Sequence, residues 1–192
     1  MDRAEEKRLL ALAKQGDEEA FAMLYRTNVQ TIFRYVYHRT GDVQIAEDLT
    51  ADVFVRAVRG LASYAEQGKP LVAWLYRIAN ARVVDHYRKQ NRRPGDGDLD
   101  AQPIAVHQDM DVDMLRTQAS SALKVAIQQL TSEQQHVIVL RFLEGRSIEH
   151  VARLVGKTPN AVKAMQHRAL RALAKRLIAA GFEPGVVMAG LS

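Results

Sequence analysis

The chain has 192 residues, 47% of them hydrophobic and 26% charged, with a formal net charge of +5 and an isoelectric point near 9.6; that allows one large or two small cores and suits a polyanionic partner. It has no cysteine, which excludes disulfides, thiolate nucleophiles and cysteine-ligated zinc and fits a reducing compartment. Residues Met1 to Glu6 do not open a signal peptide and no run approaches membrane-spanning length, so the expected place is the cytoplasm, with no membrane partner.

Helical periodicity runs from about Ala4 to Lys14, from Glu18 to Arg39, from Val43 to Gly60 and from Pro70 to Gln90. The punctuation agrees with these limits. Gly16-Asp17 and Gly41-Asp42 each join a glycine stop to an aspartate N-cap, and Pro70 stands at a first-turn position. In the third of these helices Asp48, Asp52 and Arg56 recur at four-residue intervals on one face, where they can pair with a partner helix or simply be solvated, while Leu49 and Phe54 face inward. In the fourth, Arg77, Asn80, Tyr87 and Arg88 lie opposite Trp74, Leu75 and Ile78. Trp74 and Phe54 read as packing residues.

Between Pro94 and Asp113 stand six aspartates and no lysine or arginine, which leaves +11 on the rest of the chain. With Pro94, Gly95, Gly97 and Pro103 also present, this stretch reads as an extended acidic linker, either a solvated spacer or a polyanion able to occupy a channel built for nucleic acid.

The stretch Leu130 to Leu177 reads as a helix-turn-helix. Thr131 to Gln134 fits a capping box, Val137, Ile138, Leu140 and Leu143 give the next helix an apolar stripe, and Gly145 ends it. Ser147 caps a short helix carrying Ile148, Val151, Ala152, Leu154 and Val155, and Gly156 supplies the positive φ of a tight turn. A third helix follows with Thr158 as N-cap and Pro159 as its first residue. Its stripe of Val162, Ala169, Leu173 and Leu177 opposes one of Asn160, Lys163, Ala164, His167 and Arg171. The second stripe is the expected reading face: Asn160, Lys163 and His167 on bases, Arg168 and Arg171 on phosphates, with Thr158 at the helix end that faces the DNA. The plainer reading is a solvated basic face.

The fold expected is therefore all-α, two small helical domains (1–93 and 114–180) joined by a flexible acidic linker (94–113), the second domain a helix-turn-helix, with a tail at 181–192. The tail is read as frayed, or, through Val186-Val187-Met188, as a partner contact. No strand pattern and no repeat of fixed period competes.

In its order of parts the chain resembles the extracytoplasmic-function (group four) sigma factors of the bacterial sigma-seventy family. The resemblance covers about Asp17 to Arg93 and Ala122 to Arg176. It is carried by Ala46-Glu47-Asp48-Leu49-Thr50-Ala51-Asp52-Val53-Phe54, Trp74-Leu75-Tyr76-Arg77-Ile78-Ala79 and Asp85-His86-Tyr87-Arg88, then by Leu130 and Leu140-Arg141-Phe142-Leu143-Glu144-Gly145. It implies a subunit that binds core RNA polymerase, at the clamp of the largest subunit and the flap region, recognises the promoter minus-ten and minus-thirty-five elements and promotes promoter opening. Docking would fall to Asp48, Asp52 and Arg56. The minus-ten element would meet Ser63 and Tyr64 in the loop Leu61 to Lys69, and Arg77, Asn80, Tyr87 and Arg88 on the following helix; the minus-thirty-five element would meet Thr158, Asn160, Lys163, His167, Arg168 and Arg171. Melting a duplex without ATP requires capturing an unstacked base, which a pocket and a ring can offset. An anti-sigma factor is the further partner implied.

The chain departs from the family pattern in two places. Relatives often read Ile-Ala-any-Asn where this chain has Ile78-Ala79-Asn80-Ala81, and Ala164-Met165 and His167-Arg168-Ala169-Leu170 replace part of a more basic recognition set. Base preference at both elements is expected to differ accordingly, with a shallower salt dependence for each lost cation. Catalysis has no support: there is no His-x-x-x-His pair, no phosphate loop and no nucleophile elbow, and Asp85 and His86 project in different directions. No enzyme, cofactor, metal or small-molecule substrate is expected. The alternative is a helix-turn-helix regulator that acts without polymerase, which leaves the N-terminal motifs idle.

Overall fold

A computed structural model describes residues 1–65, 69–90 and 121–183. The expected linker at 94–113, the boundaries drawn on either side of it and the Val186-Val187-Met188 cluster lie outside these residues. Four helices make the first unit: α1 (Arg3–Lys14), α2 (Glu18–Thr40), α3 (Val43–Gly60) and α4 (Leu71–Gln90), with a 3₁₀ turn at Leu61–Ser63 before α4. The second unit has α5 (121–128), α6 (Ser132–Ile138), a π turn (Val139–Leu143), α7 (Ile148–Val155) and α8 (Pro159–Ala179). The described residues contain no strand.

Local chemistry sets these limits. The carboxylates of Asp2, Asp17 and Asp42 each accept a 2.8 Å hydrogen bond from the backbone N–H three residues on, satisfying a donor that a helix start leaves unpaired and placing negative charge at its positive end. Gly41 closes α2 in the left-handed region, φ 73°, with its N–H 2.7 Å from the Tyr37 carbonyl.

One feature departs from the periodicity. The helix expected to run to Gly145 widens at Val139 into a π turn, in which the Glu144 N–H reaches the Val139 carbonyl at 2.9 Å. Four consecutive residues, Val137 to Leu140, are buried there. Ile138 packs with α5 and α8 while Val137, Val139 and Leu140 join the larger core, and an α-helical spiral cannot bury four successive side chains against one surface. The widened turn serves two cores at once.

α2 lies at the centre of the first unit against α1, α3 and α4, burying Leu24, Ile32, Tyr35 and Val36 with Val53, Leu75, Tyr76 and Val83. That core does not stop at the unit's edge. It continues through Val137, Leu140, Val151, Leu154 and Met165, because α4 packs on α6 and α7 and α2 on the π turn. A smaller core of Ala126, Ile127, Leu130, Ile138, Ala169, Leu173 and Leu177 holds α5, α6 and α8 together. Among the described residues no helix is long and apolar enough to cross a membrane, and no group of three or more His, Asp or Glu side chains is placed to hold a metal ion.

Candidate nucleic-acid interface

α8 stands with its start exposed. Thr158 Oγ1 accepts from the Ala161 N–H at 3.2 Å and Pro159 occupies the first turn, so the backbone N–H groups and the positive end of the helix dipole point outward. Val162, Met165, Ala169, Leu173 and Leu177 are buried. Thr158, Asn160, Lys163, His167, Arg168 and Arg171 are all exposed, as is Ala164. The support is built by α7, whose Ser147 cap accepts from the His150 N–H at 3.1 Å and whose exit turn at Gly156 has φ 70°. Arg141 ties the π turn to α8, its Nε 3.1 Å from Gln166 Oε1 while Nη1 donates to the Arg146 carbonyl. Its positioning role was not apparent from the sequence, because the partner lies 25 residues away.

The first unit's residues sit differently. Ser63 is exposed and donates to the Gly60 carbonyl at 3.0 Å. Tyr64 is 8% exposed and stacks on Trp74, ring centroids 4.6 Å apart at 27°, while Lys14 donates to its carbonyl. A Cβ at Gly60 would come within 3.2 Å of the Trp74 ring. Trp74 packs beneath the loop, and Tyr64, stacked on it, lines a cleft together with Ser63, Arg77 and Asn80. Arg77 and Arg88 are exposed. Tyr87 donates to the Arg39 carbonyl at 3.0 Å, and burial raises its pKa. Asn80 is half-buried and its Oδ1 accepts from Arg39 Nη1 at 2.7 Å and from Ser132 Oγ at 3.0 Å.

On α3, Asp48 is exposed and Asp52 half-buried. Asp52 is held from within its own unit: Arg56 Nε is 3.1 Å away and Arg82 also donates to it, Arg82 in turn reaching Asp85 at 2.9 Å. Burial alone would raise the Asp52 pKa, but the hydrogen bonds and charges of Arg56 and Arg82 outweigh it and hold the carboxyl below its ordinary value. The exposed surface of α3 also carries Val55 and Val58, 46% and 52% exposed. These apolar residues were missed by following charge alone, although Val55 stands three places after Asp52 and seven after Asp48.

Against this geometry, residues 24–93 match the family model for sigma-70 region 2, and residues 120–173 match that for sigma-70 region 4. The chain is 37% identical to the ECF RNA polymerase sigma factor BldN of Streptomyces coelicolor over 92% of its own length and 67% of that protein's. It is 31% identical to the ECF RNA polymerase sigma factor SigX of Bacillus subtilis, over 83% and 84% of the two chains. The chain belongs to the ECF RNA polymerase sigma factors. An ECF sigma factor is a transcription initiation factor, and the stretches matched to its regions 2 and 4 are residues 24–93 and 120–173. The fold of this sigma factor is shared with CnrH, solved in complex with the cytosolic domain of CnrY, at a TM-score of 0.64 and 23% identity over 91% and 98% of the chains. It is also shared with RpoE of Bartonella quintana, solved with the anti-sigma factor NepR, at 0.58 and 24% over 82% and 96%.

Proposed function

We propose that this sigma factor directs core RNA polymerase in the cytoplasm to promoters read at two elements, without catalysing a reaction itself: 1–93 docks on polymerase and takes the minus-ten element, 114–180 reads the minus-thirty-five duplex. The observation that carries the reading is the α8 stripe, on which all six residues from Thr158 to Arg171 expected to meet DNA are exposed while the opposite face is buried. A helix of this kind, entering a major groove by its first two turns, places Asn160, Lys163 and His167 against base edges and Arg168 and Arg171 against phosphates. In the first unit Ser63, Arg77 and Arg88 offer exposed polar contacts to the minus-ten element, Asn80 and Tyr87 half-buried ones, and Tyr64, stacked on Trp74, a ring at the same cleft. Asp48, with Asp52 and Arg56 beside the exposed Val55 and Val58, forms the surface for the polymerase clamp. The two tethered readers gain affinity together, because the second contact is intramolecular once the first is made. An anti-sigma factor is the regulator proposed, supported by the fold's occurrence in the solved complex of RpoE with NepR.

The test is selection of promoter sequences by holoenzyme from a randomised duplex pool. Lys163→Ala and Asn160→Ala are expected to relax base preference in the upstream element alone, by about 1–3 kcal/mol at one or two positions. Asn80→Ala is expected to relax it in the downstream element alone. Unchanged preferences in all three variants would contradict the assignment.

A further inference from the structure

α1 lies ahead of the stretch matched to region 2, which begins at residue 24, yet it holds both ends of the segment from Tyr64 to Leu71 that leads into α4. At one end the Lys14 ammonium donates to the Tyr64 carbonyl at 2.5 Å and stands 5.7 Å from the centre of the Tyr64 ring. At the other end the Glu6 carboxylate accepts from the Leu71 N–H at 3.0 Å. Glu6, Leu10 and Lys14 recur at four-residue intervals, so they share one face of the helix, with the two charged residues about 12 Å apart along its axis. Leu10 between them is buried, as are Leu9 and Ala13, and α1 packs on α2 and on the 3₁₀ turn that carries Ser63.

The two bonds differ in what they satisfy. Pro70 has no N–H, so Leu71 carries the first backbone donor at the start of α4, a group that no carbonyl within the helix can reach. Glu6 satisfies it from another helix and sets a negative charge at the positive end of the α4 dipole. Lys14 fixes the backbone of Tyr64, whose ring rests on Trp74 at a centroid distance of 4.6 Å. Tyr64 is thereby held by its carbonyl and by its ring at once. A surface that captures an unstacked base must offset the cost of unstacking. Ordering a free segment in the same step would add to that cost, and a segment ordered beforehand avoids it.

We propose that α1 is a positioning element for promoter opening: Glu6 and Lys14 are positioning residues that bracket the Tyr64–Leu71 segment and hold Ser63 and Tyr64 ready for an unstacked minus-ten base. The consequence for DNA rests on the minus-ten assignment above; the bracket itself rests on the geometry alone. Both residues act through the segment. Loss of either bond frees one end of it, so each weakens base capture about tenfold, the worth of one hydrogen bond to a charged group. Docking through α3 and duplex reading through α8 stay as they were, because neither surface includes α1.

The test measures binding of holoenzyme to two forked templates, identical except that one carries the minus-ten bases on its single strand and the other has abasic sites there. The ratio of the two affinities reads base capture alone. Lys14→Ala and Glu6→Ala, at an exposed and a half-buried position, are each expected to lower that ratio about tenfold by weakening the base-bearing template only. Lys14→Arg and Glu6→Gln, which keep a donor and an acceptor, are expected to retain most of it. A variant that merely destabilised the first unit would weaken both templates alike. Hydrogen exchange in the free protein reads the bracket without DNA: the Leu71 amide is expected to exchange faster in Glu6→Ala than in the unaltered chain. An equal loss on both templates, an unaltered Leu71 exchange, or a ratio that Ser63→Ala and Asn80→Ala lower while both α1 alanine variants leave it unchanged would overturn the proposal. A ratio unmoved in all four alanine variants would instead contradict the minus-ten assignment, and with it the consequence for DNA.

Discussion

At the scale of single residues, the difference between a helix that reads DNA and one that is merely solvated lies in what holds the basic stripe in place. Lys163, His167 and Arg171 are free to meet a groove because Val162, Met165 and Ala169 anchor the other face of α8 and Arg141 fixes it through Gln166. Arg171 is assigned a phosphate, which predicts that Arg171→Ala weakens promoter binding about equally across sequences and reduces the slope of log K against log salt by about one. A salt titration of holoenzyme binding checks this. Arg141→Ala is expected to act differently, lowering affinity by loss of position with the salt slope nearly kept. The α8 stripe was legible in the sequence because its caps, turn and period all agree. The role of Asn80 was legible only in part: its place on the polar face of α4 was visible, but its bonds to Arg39 and Ser132 join residues 41 and 52 positions apart, a distance over which periodicity carries no information. Tyr64 was legible as a ring in a short polar loop, but its stack on Trp74, ten residues on, was not.

At the scale of elements, caps and glycines define where the helices begin and end, and these signals are local. Aspartates before α1, α2 and α3, the Thr131–Gln134 box and the turn at Gly156 all occupy the positions their chemistry requires. Thr131→Ala removes one partner of the box and is expected to cost about 1 kcal/mol of stability. Gly156→Ala is expected to cost about 1–2 kcal/mol, since φ 70° disfavours a side chain there, and the new Cβ would also approach Lys69 Nζ within 3.2 Å. Thermal unfolding of each variant measures both. The π turn was not legible, because a run of four apolar residues from Val137 to Leu140 is compatible with helix, strand or bulge until the two surfaces that bury it are known.

At the scale of the whole molecule, the two units were readable as separate domains by the acidic, glycine- and proline-bearing stretch between them, and their all-helical character by period. Their packing against each other was not readable. It depends on Val137, Leu140, Val151 and Leu154 meeting α2 and α4, and each of these residues has an equally good reading as core of its own domain. The sharing of one core between a reader and a docking module predicts that the units unfold together: denaturation followed at Trp74, the single tryptophan, and by helical content should coincide. The most direct measurement of the function is initiation in vitro, with the purified chain added to bacterial core polymerase and a pool of promoter fragments and the transcripts sequenced. New transcripts with sharp starts, sharing two spaced upstream elements and lost in the absence of the chain, are the predicted result. Sequence-specific binding of the chain to duplex DNA with no new transcript would contradict it.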